Sequence, residues 1–83
     1  MITSRQVRAA RALLGWTQEM LADKALVALT ALKRLESERL GVRDDTRKSV
    51  EKALKRAGIV FIASDRGEGV MLLHPEARET EQL

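Results

Sequence analysis

Cysteine is absent from the 83 residues. Neither a disulfide nor a thiolate metal site can therefore brace the chain. Histidine occurs once, at His74, which excludes a metal cluster built on histidines alone. Aromatic residues are nearly absent as well. Trp16 and Phe61 are the only two, too few for single-strand binding by stacked bases, which needs aromatic platforms. No stretch approaches the roughly 18 apolar residues that a membrane span requires. The start, MITSRQVRAAR, is charged and no long apolar run follows it, unlike a signal peptide. The sequence also has no paired-histidine motif and no Gly-rich phosphate loop. These absences lead to the expectation of a cytoplasmic non-enzyme with no catalytic residues, metal, cofactor or membrane partner. His74, beside Pro75 at the end of an apolar run, reads as incidental.

What is present fits one small domain. A chain this short buries only about 60–65% of its unfolded surface, so its stability depends on tight packing or on a second chain. Charge is unevenly spread. Residues 1–74 hold 14 basic and 9 acidic groups, net +5, whereas residues 75–83 hold one basic and three acidic groups, net −2. A compact basic body suits a polyanion partner, although a charge of this size is also ordinary for a soluble domain.

Local signals divide the chain into helices and then a hairpin. Thr3 with Gln6 three residues on forms a capping-box pattern. Val7, Ala10, Leu13 and Leu14 follow at helical spacing, giving a first helix over about 4–14 that exits at Gly15. Thr17 caps the second helix, whose inward residues are Met20, Leu21, Ala22 and Ala25. A turn at Leu26 and Val27 leads to a third helix over about 28–37, anchored by Leu32 and Leu35. Asp44 or Asp45 caps a fourth helix that runs to about Ala57 and ends at Gly58. The period then changes. Ile59-Val60-Phe61-Ile62 and Val70-Met71-Leu72-Leu73 flank the turn cluster Asp65-Arg66-Gly67-Glu68-Gly69, the pattern of a β-hairpin. The fold class expected is mainly α: a four-helix domain over 1–58, a hairpin extension over 59–74, and a disordered polar tail over 75–83.

Residues 18–36 read Q-x-x-x-A-x-x-x-L-V-A-x-x-x-L-x-x-x-E. With Arg8, Arg11 and Gly15-Trp16-Thr17 ahead of them, they resemble the Cro/C1-type (XRE-like) helix-turn-helix family of phage and bacterial regulators, over roughly residues 4–57. The resemblance implies a lambda repressor-like arrangement with the third helix in the major groove of double-stranded DNA. It assigns base contacts to Ala28, Leu29, Thr30, Lys33 and Arg34. Arg34 can grip a guanine edge with two bonds, Thr30 offers a hydroxyl or a methyl, and Ala28 and Leu29 can pack on thymine methyls. It assigns phosphate contacts to Gln18, at a helix N-terminus where free N–H groups favour an anion, and to Ser37, Arg39, Arg43, Arg47 and Lys48. It also implies a structural ion pair between Arg11 and Glu36, which as a surface pair would contribute only ~0–1 kcal/mol.

Two positions depart from the family pattern. Leu26 stands where glycine is usual, and a leucine forced to positive φ there costs roughly 1–2 kcal/mol. Ala28 stands where Ser or Thr usually caps the third helix, a loss of typically ~1 kcal/mol. The function implied is sequence-specific transcriptional regulation, specifically a repressor on a palindromic operator. It would act as a homodimer, with residues 59–73 as the candidate dimerisation element. The rival expectation is a protein-interaction module, such as an antitoxin or antiactivator, with a protein partner on the apolar start of the third helix.

Overall fold

A computed structural model of the chain describes residues 2–38 and 41–76. Local capping starts the first helix, α1 (Ser4–Leu14). The Thr3 hydroxyl accepts the Gln6 backbone N–H at 3.1 Å, and the Gln6 side-chain oxygen accepts the Thr3 N–H at 3.0 Å. Two otherwise orphaned donors are thus satisfied reciprocally. The second helix, α2 (Gln18–Ala25), starts at Thr17, whose hydroxyl accepts the Met20 N–H at 3.1 Å.

Both helices end in the same way. After α1, Gly15 takes φ 69° and donates to Ala12 O at 3.2 Å, while Trp16 donates to Arg11 O at 3.0 Å. After α2, Leu26 takes φ 57° and ψ 43°, donates to Asp23 O at 3.3 Å, and is followed by Val27 donating to Ala22 O at 3.1 Å. Both are Schellman closures. The first uses glycine and the second uses leucine. The departure at residue 26 therefore leaves the turn geometry intact, and the leucine carries the strain.

The third helix, α3 (Leu29–Glu36), begins at Ala28 with no side-chain cap. The fourth, α4 (Asp44–Arg56), has Arg43 rather than an aspartate at its N-cap. Asp44 and Asp45 instead fall in the first turn, where their charge complements the helix dipole. The fully buried side chains Val7, Leu21, Leu32, Leu35, Val50 and Leu54 come from all four helices and meet in one core. Each contributes about 1.5–3 kcal/mol by leaving water, which outweighs one strained turn and one missing cap. Leu13 and Met20, assigned inward by spacing, are instead exposed. No helix among the described residues is long and apolar enough to cross a membrane.

Gly58, at φ 103°, turns the chain out of α4 into strand β1 (Ile59–Ser64), which pairs antiparallel with β2 (Gly67–Leu72). The turn is tighter than the expected 65–69 cluster. Ser64 pairs with Gly67 and Ile62 with Gly69, so only Asp65 and Arg66 form the loop. The hairpin packs on α1 and α4. The buried Gln6 donates its amide to Ile62 O at 3.0 Å and Gly69 O at 2.9 Å, one carbonyl on each strand. Arg5 pairs with Glu68 at 2.6 Å, and the Thr3 hydroxyl bonds the same carboxylate. Hydrogen bonds from both partners hold the Glu68 carboxyl below its usual pKa. The start of α1 thus fastens the hairpin as well as capping the helix. Arg39 and residues 77–83 of the expected tail lie outside the described residues.

Candidate nucleic-acid interface

The eight residues of α3 divide cleanly by their periodicity. Leu32, Leu35 and Glu36 are buried, while Thr30, Lys33 and Arg34 point to solvent. With Ser37 they line an open depression of about 380 Å³. A smaller recess of about 100 Å³ joins Arg34 and Ala31 to Gly41, Val42, Arg43 and Thr46 at the entry to α4. Arg34 borders both spaces. A guanidinium there can reach outward to a base edge or sideways to a phosphate.

Behind this face lies a lock. Arg11 binds Glu36 with two parallel bonds, Nε to Oε2 at 2.6 Å and Nη2 to Oε1 at 2.8 Å. Gln18 donates its amide to Glu36 Oε1 at 3.0 Å. Arg11 also donates to the Trp16 carbonyl at 3.1 Å, and Arg8 donates to the Glu36 backbone carbonyl. One carboxylate thus gathers α1, the start of α2 and the end of α3. Glu36 is only 4% exposed, so this is not the surface pair valued above. Removing Arg11 would leave a buried charge without its main partner, a far larger penalty than losing a solvated pair. Hydrogen bonds to Glu36 raise the Arg11 pKa further, against the desolvation that opposes it.

The expected contact residues fall into groups according to what their side chains already do. Among the described residues, Lys33, Arg34 and Lys48 are exposed cations with no ion pair or side-chain hydrogen bond. Arg43 is exposed but leans on Asp45 at 3.4 Å. Gln18, Arg47 and Ser37 are more committed. The Gln18 amide serves Glu36, Arg47 donates to Ile2 O at 2.8 Å, and the Ser37 hydroxyl donates to Lys33 O at 2.8 Å. Leu29 is half-buried against the core, whereas Ala28 is exposed. The first turn of α4 presents N–H groups, but Asp44 and Asp45 already supply negative charge there. Among the expected contact residues, the uncommitted cations are therefore Lys33 and Arg34 on α3 and Lys48 on α4.

Spacing alone did not reveal Trp16 and Lys24 as a pair. The Lys24 ammonium lies 5.2 Å from the indole centroid, a cation–π distance. It joins α2 to the loop after α1 and leaves that ammonium beside an aromatic face rather than free.

A family model described as helix-turn-helix matches residues 7–57, from within α1 to the end of α4, and stops short of the hairpin. No curated protein matches the chain.

Proposed function

The chain belongs to the Cro/C1-type helix-turn-helix family of regulators that bind double-stranded DNA, and from that membership we propose that it is a sequence-specific transcriptional repressor acting as a homodimer on a palindromic operator. The observation that carries this reading is the outward face of α3. Thr30, Lys33 and Arg34 surround one open surface, and both cations there are uncommitted among the described residues. The buried Arg11–Glu36–Gln18 lock fixes the helix from behind.

Arg34 is the base-reading residue, through a guanine O6/N7 edge, and Thr30 and Ala28 supply methyl contacts near the helix start. Lys33 reads a base or a phosphate. Lys48 and Arg43 bind phosphate, and Arg39 is assigned there with them. Gln18 and Arg47 hold positions in the fold while offering their remaining N–H groups to the backbone. Two copies place two such helices in successive major grooves about 34 Å apart, and the bound dimer represses by occluding a promoter.

A second reading has a specific observation in its favour. Leu26 is 91% exposed, next to exposed Ala28 and half-buried Leu29. That apolar corner suits a protein partner, as in an antitoxin or antiactivator. One experiment separates the readings. Fluorescence anisotropy is run with a duplex from upstream of the gene and a scrambled duplex, across a salt series, with wild type and Arg34→Ala. Selective binding that falls by about 1–3 kcal/mol in Arg34→Ala supports base readout. Equal binding to both duplexes that disappears with salt reduces the role to phosphate attraction. No binding moves the function to the Leu26 corner.

A further inference from the structure

The hairpin has an unusual distribution of apolar residues. An antiparallel sheet with one wet face alternates apolar and polar side chains, whereas a sheet covered on both faces reads as a continuous apolar run. The inner face is clear. Ile59, Phe61, Val70 and Leu72 form the cross-strand pairs Ile59↔Leu72 and Phe61↔Val70, and they pack on the core. Strand alternation puts Val60, Ile62 and Met71 on the opposite face, where Val60 pairs with Met71 and Ile62 with Gly69. That face is apolar too, yet Ile62 is 48% and Met71 46% exposed. Ser64, Gly67 and Gly69 complete it, so it carries no charged side chain. One residue in three of this chain is charged, which makes an uncharged face a specific feature of the hairpin.

We infer that this outer hairpin face, Val60–Ile62–Met71, is where a second copy of the chain docks. Charge selects that occupant. The chain is net +3, and two copies approaching through the cationic α3 or α4 surfaces would repel each other. Across the outer hairpin face they meet with no charge at all. Asp65 and Arg66 in the tip are of opposite sign, so the tips of two hairpins are neutral as a pair. An isologous contact requires a surface compatible with itself, and an uncharged apolar face meets that condition. Among the described residues the sheet has two strands, and no third strand there covers an edge that a second hairpin can extend. Three apolar side chains make a contact smaller than a standard specific interface. Self-association is therefore weak and concentration-dependent in free protein, and is reinforced when two half-sites hold two copies together. The family match ends at residue 57, so this role belongs to the part of the chain beyond the matched helices. The inference deepens the homodimer reading above and rests on it.

The test is sedimentation equilibrium across a micromolar concentration series, free and on a two-half-site duplex, for wild type, Ile62→Lys, Met71→Lys and Arg34→Ala. Wild type and Arg34→Ala should both move from one-chain towards two-chain mass as concentration rises. Each lysine variant should stay at one-chain mass when free while keeping a folded circular dichroism spectrum. If a lysine variant unfolds, Ile62→Thr and Met71→Thr replace it and should shift association to at least tenfold higher concentration, about the effect of losing 1.4 kcal/mol. Undiminished self-association in folded hairpin variants overturns the docking face but leaves the homodimer standing. One-chain mass for wild type, free and on DNA, overturns both.

Discussion

Leu26 offers the sharpest test of how the α2–α3 turn is built. It takes φ 57° and ψ 43°, a conformation in which Cβ crowds the following carbonyl and which costs roughly 1–2 kcal/mol for a leucine. Its side chain is 91% exposed, so little burial is lost by trimming it. Leu26→Gly relieves the strain but loosens the unfolded chain, a loss of about 0.4–1 kcal/mol. The net expectation is stabilisation by about 0.5–1 kcal/mol. In a domain of this size, that raises Tm by roughly 2–8 °C. Leu26→Ala retains the Cβ and should leave Tm nearly unchanged, and Leu26→Asn should fall between because asparagine tolerates this region. Melts followed by far-ultraviolet circular dichroism give the order directly. A Tm for Leu26→Gly at or below wild type, or an alanine variant as stable as the glycine one, would refute the strain argument. The first result would mean that the leucine side chain makes stabilising contacts or that the turn relaxes, and the second that the cost does not lie at Cβ.

The remaining predictions probe the caps and locks. Arg11→Ala strands the buried Glu36 carboxylate and should cost about 3–5 kcal/mol in urea unfolding; a loss below about 1 kcal/mol would put the pair back among solvated ones. Ala28→Ser supplies the cap that α3 lacks and should add about 1 kcal/mol, with an unchanged melt counting against an open cap site. Glu68 has its pKa lowered by Arg5 and Thr3, so the stability it contributes is complete above the ordinary glutamate value of about 4.3 and is lost as pH falls through the lower folded-state value. Melts of wild type and Glu68→Gln should therefore differ at neutral pH and converge in acid; a constant gap across that range would contradict the linkage.

Helix positions were legible because their causes are local. Thr3 with Gln6, Thr17, Gly15 and Gly58 act within a few residues of themselves, and the structure places each at an element boundary. The hairpin was legible as a change of period, although its loop was overestimated because glycine reads as a turn residue even when, as at Gly67 and Gly69, it sits in a paired strand. The state of the site was harder to read. A glutamine at a helix start looks free for phosphate until Glu36 is found 3.0 Å away. Arg47 looks like a surface cation until the Ile2 carbonyl is found beside it. These partners lie 18 and 45 residues away in the chain, and no local pattern encodes them. The Arg11–Glu36 pairing followed from the family resemblance, but its burial did not, and burial sets its magnitude.

These magnitudes imply an uneven support for α3. Its N-terminal end carries two local weaknesses side by side: the strain at Leu26 and the absent cap at Ala28. Its C-terminal end is held by Arg11, Arg8 and Gln18 on Glu36, and by the Ser4 hydroxyl on Leu35 O. Thr30 and Ala28 therefore sit at the softer end, while Lys33 and Arg34 lie within a turn of the lock. Soft support suits methyl contacts, which are non-directional and tolerate small shifts. Bidentate hydrogen bonds to a base edge tolerate little displacement, so they benefit from the rigid end. It follows that loosening the lock should damage discrimination between operator and scrambled DNA more than an equally destabilising change at the turn. Two variants matched in stability, one at Arg11 and one at the core-packed turn residue Val27, separate the two effects: equal loss of discrimination would show that only the overall fold matters, and a larger loss at Arg11 would show that the lock positions Arg34.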